Sequence, residues 1–233
     1  MSSFALRLAA LLTMLVDHAG LALFPNIGLF RCVGRLSFPI YCFLIVQGYR
    51  HTRSVAAYGR RLALLAILSE IPFDLLIFAH RISPLEQNAL FSLLLGLMAL
   101  SCADSLHTKP LHAAAAVIML CLFAMAANVS YGWLSIALCL CMHYTCENQL
   151  SFSLSVGGAL LLYSLTQLLG GVAYSWVLTS LCALFSLPLL LAYNGKPGTR
   201  HPALTWMFYT AYPLHIIALV VLRAMRIVPP YFF

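Results

Sequence analysis

The sequence predicts an all-α fold, a polytopic bundle of about nine transmembrane helices with a possible range of eight to ten. Its composition is the first reason: 63% of the 233 residues are hydrophobic and 8% are charged, whereas roughly a quarter of a water-soluble domain is charged. The second reason is a succession of apolar runs near the length of about 20 residues that crosses hydrocarbon. Nine such helices with short turns fill the chain, so we expect a single domain over residues 1–233.

Each predicted helix is an apolar run that ends at charged residues, glycine, proline or asparagine. Asp17 and His18 interrupt the first run with no small-residue cleavage pattern before them, so we expect a retained helix and not a signal peptide. Pro39 and Pro72 are expected to kink the second and third helices. The nine predicted helices cover residues 4–24, 31–48, 61–79, 89–106, 112–129, 132–146, 150–168, 172–193 and 204–225.

Basic residues predict the orientation, because lysine and arginine are enriched in cytoplasmic loops. The richest short loop is YRHTRSVAAYGRR, residues 49–61, with Arg50, Arg53, Arg60 and Arg61. Placing it inside puts the N-terminus in the cytoplasm and the C-terminus outside. Topology thus accounts for the net charge of +7, and no nucleic-acid partner is expected since the basic residues form no single stripe.

The charged residues inside the predicted helices are the best candidates for function, because charge within hydrocarbon costs about 2.5–3.5 kcal/mol or more. At about 1.5 Å of rise per residue, Asp17, Arg35 and Asp74 lie about 7–10 Å below the outer ends of their helices. Glu70 is one turn deeper, and His215 is near the middle of the last helix. We expect these five residues at one level in the outer half of the membrane.

Two interpretations of this layer remain open. Arg31 and Arg35 on the second helix could form an ionic ladder with Glu70 and Asp74 on the third, either as a staple between helices or as the lining of a cavity. Asp17 could instead meet Arg35. Because adjacent helical residues point about 100° apart, Asp17 and His18 are expected to face different partners.

Histidine is the side chain best suited to accept a proton near neutral pH, which makes His18 a candidate base. His215, on one helix with Tyr209 and Tyr212, is either a second member of the site or a packing residue. We expect no metal: the eight cysteines show no CxxC pattern, and most lie in apolar runs. The chain also lacks the HExxH, GxSxG, GxGxxG and Walker patterns.

Several stretches together resemble the TraX family of bacterial membrane proteins. They are LTMLVDHAGLALFP (12–25), LFRCVGRLSFPIYCFLIVQGYRHTRSVAAYGRRL (29–62), SEIPFDL (69–75), QNALFSLLLGLMAL (87–100), SYGWLSIAL (130–138) and FYTAYPLHIIAL (208–219). They follow in order along nearly the whole chain. One departure is Ser130, where relatives often carry an acid.

The resemblance implies a multipass N-acetyltransferase that uses cytosolic acetyl-CoA, related to membrane enzymes of the heparan-alpha-glucosaminide N-acetyltransferase type. It places the essential histidine at His18, as general base or acyl carrier, supported by Asp17. The expected acceptor is an amine on a peptide, sugar or small molecule. Its expected binding residues are Arg35, Glu70, Asp74, Asn88, Tyr212 and His215, with Arg35 or Asn88 as oxyanion donor, while Arg50, Arg53, Arg60 and Arg61 suit the CoA phosphates.

The main alternative is a proton- or cation-coupled transporter in which Asp17, Glu70 and Asp74 form a relay. An inverted repeat would favour it, and the sequence shows none. A haem-binding electron carrier is a weaker alternative, because no predicted helix carries two well-buried histidines.

Overall fold

A computed structural model of the protein describes residues 1–78, 86–199 and 201–225, and this part of the chain is helical apart from its turns. Two pairs of helices join into longer segments, Gly28–His51 and Tyr174–Leu191, so the described residues form nine helical segments. The predicted fold class is confirmed. The helices are α1 Ser3–Leu23, α2 Gly28–Gly34, α3 Ser37–His51, α4 Val55–Ile77, α5 Ala89–Ser105, α6 Pro110–Ala126, α7 Leu134–Thr145, α8 Gln149–Leu169, α9 Tyr174–Leu181, α10 Ser186–Leu191 and α11 Pro202–Ala224, with a 3₁₀ turn at Cys182–Phe185.

Within the described residues, five segments are long and apolar enough to cross a membrane: α1, α2 with α3, α8, α9 with α10, and Trp206–Ala224 of α11. The apolar helices α5, α6 and α7 are shorter, at 10–17 residues. Large apolar side chains stay exposed along α4, α6 and α8, for example Ile67, Phe123 and Leu154. Exposed apolar surface on this scale is typical of helices that face lipid.

The second predicted helix is broken, and the break comes before Pro39. α2 ends at Gly34 and α3 begins at Ser37, whose hydroxyl donates to the Gly34 carbonyl at 2.7 Å. Pro39 is the third residue of α3, in the first turn, where a missing N–H breaks no helical hydrogen bond. Pro72 lies inside α4, which continues beyond it to Ile77.

The predicted basic loop is also shorter than expected. α4 begins at Val55, six residues before the predicted start, because the Ser54 hydroxyl accepts a hydrogen bond from the Ala57 N–H at 3.2 Å and caps the helix. Arg50 therefore lies in α3, Arg60 and Arg61 lie in α4, and the connection is residues 52–54.

The chain divides into two compact units. Unit 1 comprises Met1–Tyr41, Ile71–Ile82 and Leu160–Phe233, and unit 2 comprises Cys42–Glu70 and Ser83–Ala159. The single domain over residues 1–233 stays a prediction.

In unit 1 the N-terminus is tied to the turn before α11. The Ser3 N–H donates to the Lys196 carbonyl at 2.9 Å, and the Asn194 N–H donates to the Met1 carbonyl at 2.9 Å. Phe4 packs edge-on against Phe208 of α11, with ring centroids 6.1 Å apart. The N-terminus and this turn thus lie on one side of unit 1. The cytoplasmic location predicted for both stays a prediction.

In unit 2 the core forms where α5 packs between α6 and α7. Leu95 and Ala99 of α5 contact Ala124, Val129 and Ile136. Gly96 lets α7 approach closely, since a Cβ there would lie 2.7 Å from the Cys139 sulfur. These contacts place the ends of α5 and α7 beside each other. Several polar groups lie at these ends.

Gly34 permits the close approach of α1 and α2, and its replacement provides a test. A Cβ at Gly34 would overlap the Asp17 side chain, so we expect Gly34→Ala to cost about 1–3 kcal/mol of stability by overpacking. Gly28→Ala in the same helix is the matched control, because a Cβ there meets nothing within 4 Å. Thermal unfolding in detergent should give a lower Tm for Gly34→Ala alone, and equal midpoints would contradict the packing.

Candidate functional site

Two histidines face each other across α1 and α11 in unit 1. His18 Nδ1 lies 2.7 Å from His215 Nε2, and the two rings stack with centroids 4.9 Å apart. Tyr212 stands edge-on to both, 6.1 Å from His18 and 5.7 Å from His215. The structure therefore brings three of the predicted site residues into one cluster.

His215 is anchored to its own helix. Its Nδ1 lies 2.6 Å from the Ala211 carbonyl oxygen, one turn earlier in α11. Both histidines are half-buried, while Tyr212 is 7% exposed. A pair of neutral imidazoles within membrane helices is able to exchange protons with a bound substrate.

Asp17, next to His18 in sequence, faces a different helix. Its Oδ2 forms an ion pair with Arg31 Nη1 at 2.9 Å. The partner proposed from the sequence was Arg35, which lies one helical turn after Arg31. The Arg31 guanidinium also stacks over the Trp176 ring at 5.4 Å. Different partners for Asp17 and His18 are what the rotation of about 100° per residue predicts.

The ion pair with Arg31 uses one oxygen of the Asp17 carboxylate and leaves the other. Its Oδ1 is buried and has no hydrogen-bond partner among the described residues, and Gly34 lies directly against it. A buried carboxylate oxygen without a donor is costly unless a ligand supplies one. This atom is thus a candidate contact for a cationic or N–H-bearing substrate.

The other predicted residues of unit 1 are Arg35 and Asp74. Arg35 caps the end of α2, and its positive charge, like that of Arg31, acts on Asp17. Asp74 is 2% exposed in α4. The predicted ladder of Arg31 and Arg35 with Glu70 and Asp74 stays a prediction, but the partner that the structure describes for Arg31 is Asp17.

In unit 2, Glu70 and Asn88 form a hydrogen-bonded pair. The backbone N–H of Asn88 donates to Glu70 Oε2 at 3.2 Å, and its side-chain amide donates to the same oxygen and to the Ala66 carbonyl at 2.9 Å. Its Oδ1 accepts from the Leu90 N–H at 3.0 Å and caps α5. Both amide protons of Asn88 are thus occupied, so its predicted role as an oxyanion donor gains no support.

Arg50 is similarly occupied at the ends of α3 and α7. Its Nε donates to His143 Nδ1 at 3.3 Å, its Nη1 lies 2.9 Å from the Cys146 sulfur, and its Nη2 donates to the His143 carbonyl. Asp104 accepts from Tyr49 at 2.8 Å in the same cluster.

The remaining predicted CoA ligands are Arg53, Arg60 and Arg61. All three are exposed, and they lie at or near the first turns of α4. An exposed guanidinium keeps its planar fork of donors available for a phosphate.

The sequence did not identify Trp176 as a site residue, although the Arg31 guanidinium stacks over its ring. A signal was present, because tryptophan near a helix end is typical of the membrane interface, but that signal does not identify its partner. The described residues contain no group of three or more His, Cys, Asp or Glu side chains that could hold a metal ion.

The chain is similar to a known protein family and to a fimbrial assembly protein. A family model described as TraX protein matches residues 2–223. The chain is 30% identical over 236 residues to the "Probable fimbrial assembly protein FimC, serogroup H1" of Dichelobacter nodosus, with 94% of each protein covered. No solved structure matches the chain.

The Asn88 pair generates a stability prediction. Asn88→Ala removes a buried cap and the amide donor to Glu70, so we expect a loss of about 2–4 kcal/mol. Asn148→Ala is the matched control: Asn148 also caps a helix, α8, by accepting from Leu150 and Ser151, but it is exposed, and about 1 kcal/mol is expected. Denaturant or thermal unfolding compares the two, and equal losses would argue against a structural role for the Asn88 amide.

Proposed function

The chain belongs to the TraX family, and on that premise we propose that it is a membrane-embedded acetyltransferase of the bacterial cytoplasmic membrane. It moves an acetyl group from cytosolic acetyl-CoA to an amine acceptor at or beyond the outer half of the membrane. The nearest supporting observation is the His18–His215 pair, at 2.7 Å within membrane helices. A base in such a position accepts the proton that an amine must lose when it is acylated.

In the simplest reaction the acceptor nitrogen attacks the thioester carbonyl carbon. A C–N bond forms, the C–S bond breaks, and CoA leaves as its thiol. His18 removes the proton from the attacking amine, and that proton balances the departing thiolate. In the alternative route His18 first takes the acetyl group on a ring nitrogen and then passes it to the amine, with CoA released before the acceptor reacts.

Asp17 and Arg35 support these steps. The Asp17 Oδ1, which has no partner among the described residues, is the atom that we propose accepts a hydrogen bond from an N–H of the neutral acceptor amine. Arg35 supplies positive charge in unit 1 for the oxyanion that develops on the thioester carbonyl. Arg31 holds the Asp17 carboxylate in place through its ion pair at 2.9 Å.

The donor is proposed to bind through the exposed residues Arg53, Arg60 and Arg61, on the side that the topology assigns to the cytoplasm. Arg50 is left out of this set because its three nitrogens already contact His143 and Cys146.

A peptide amine on a fimbrial subunit is the acceptor that we favour. The support is the printed name of the relative from Dichelobacter nodosus, a probable fimbrial assembly protein, together with the proposed amine contact at Asp17. The substrate-binding roles of Glu70 and Asp74 stay predictions. The sugar and small-molecule acceptors considered from the sequence also stay predictions.

The reaction is tested by following free CoA thiol while purified protein is given acetyl-CoA and a panel of amines and peptides. We expect thiol release from the wild type and a loss of about 10²–10⁴-fold in kcat for His18→Gln, the usual contribution of a general base. His112→Gln is the control, since His112 is exposed in α6. No CoA binding and no thiol release by the wild type would refute the proposal, and ion flux in proteoliposomes that depends on Asp17 would favour the transporter.

The donor site is tested with the arginines. Arg60→Gln with Arg61→Gln removes two phosphate contacts. Each is worth about 1.5 kcal/mol as a charge-assisted hydrogen bond, so we expect the KM for acetyl-CoA to rise about 100-fold. Arg50→Gln is the control: it should lower the Tm and leave this KM nearly unchanged. A raised KM for Arg50→Gln with an unchanged KM for the double variant would assign Arg50 to the donor site and exclude Arg60 and Arg61 from it.

A further inference from the structure

We propose that His215 is a positioning residue that holds His18 in the neutral tautomer with the proton on Nδ1, so that Nε2 of His18 is the atom that reacts. This inference rests on the proposed function for its catalytic meaning. The tautomer itself follows from the hydrogen bonds and from the cost of charge within the membrane.

The argument begins at the backbone carbonyl of Ala211. A carbonyl oxygen only accepts hydrogen bonds, and the His215 Nδ1 lies 2.6 Å from it. His215 Nδ1 must therefore carry a proton and donate it to Ala211. Because Ala211 is four residues before His215 on α11, the helix itself fixes this contact.

The second nitrogen of His215 then has no proton. A proton on both nitrogens would place a cation in a membrane helix that already shares its unit with Arg31 and Arg35, and charge within hydrocarbon is costly. In the neutral imidazole one nitrogen donates and the other accepts, so His215 Nε2 is an acceptor.

The contact between α1 and α11 then determines which nitrogen of His18 carries the proton. With His215 Nε2 as acceptor, the atom 2.7 Å away, His18 Nδ1, must be the donor. His18 Nδ1 thus carries the single proton of its ring, and His18 Nε2 keeps a free lone pair. The other tautomer of His18 would set two lone pairs against each other at this distance.

Asp17 cannot take over this orienting task. Its carboxylate points to α2, where Oδ2 is bound to Arg31, while the His18 ring stacks on His215 of α11. In acid–base sites that contain a histidine, a carboxylate often fixes the tautomer. Here a second histidine, itself fixed by a carbonyl, does the same without placing another charge in the membrane.

The tautomer is tested directly by nitrogen NMR of the wild-type protein labelled with ¹⁵N-histidine in lipid nanodiscs. His18→Gln identifies the resonances of His18 among the eight histidines. We expect His18 Nδ1 to be protonated and Nε2 unprotonated. A proton on Nε2, on both nitrogens, or exchanging equally between them would overturn the inference.

Two variants of similar length test the positioning role. His215→Gln keeps a side-chain oxygen that accepts from His18, and His215→Met does not. We expect His215→Gln to stay within about 10-fold of the wild-type kcat, and His215→Met to lose about 10²-fold or more with the KM for acetyl-CoA little changed. Equal kcat values for the two variants, both folded by their Tm, would overturn the positioning role.

The two proposals fail separately. If the protein shows no acetyl transfer but the Nδ1 tautomer is observed and is lost in His215→Met, the proposed function falls and the tautomer assignment stands. If acetyl transfer depends on His18 but the NMR shows a proton on Nε2, the function stands and the role of His215 falls. If His215→Met does not fold, the wild-type spectrum alone decides.

Discussion

Polar side chains in membrane helices must find their partners within the protein, because hydrocarbon offers neither hydrogen bonds nor solvation for charge. The ion pair between Asp17 and Arg31 is the clearest case in unit 1. It joins α1 to α2, it requires the small Gly34 beside it, and it orients the guanidinium over Trp176. In unit 2 the same requirement is met by Asn88, which serves Glu70, Ala66 and the start of α5 at once.

This constraint also shapes the chemistry available to His18. Asp17 is ion-paired with Arg31, while the His18 imidazole contacts His215 of α11. In the proposed assignment the Ala211 carbonyl determines which nitrogen of His215 carries the proton. A neutral chain of this kind costs less in hydrocarbon than a buried carboxylate facing an imidazole. In the proposed function, the result is a base whose lone pair has a fixed position.

Most of the fold could be predicted from the sequence, because apolar runs and their interruptions are local signals. All nine helical segments appear among the described residues, and α5 begins at Ala89 as predicted. The start of α4 was missed because a serine cap outweighs the arginines that follow it. The partner of Arg31 was missed for another reason: depth along a helix is readable from the sequence, but the choice between neighbouring helices depends on packing. His18 was found because a polar residue in an apolar run is conspicuous, whereas the contact with His215 joins positions 197 residues apart.

Ser130 shows how a turn obtains a carboxylate from another segment of the chain. It stands directly before Tyr131 and Gly132, between α6 and α7. In unit 2 the Ser130 hydroxyl donates to Glu86 Oε1 at 3.3 Å, and its backbone N–H donates to the Gln87 carbonyl at 3.0 Å. The connection is held in left-handed conformations at Asn128 and Tyr131, which side chains rarely adopt without such support. A carboxylate therefore lies at this turn, supplied by the segment before α5, so position 130 needs no acid of its own to bring a carboxylate to this end of unit 2.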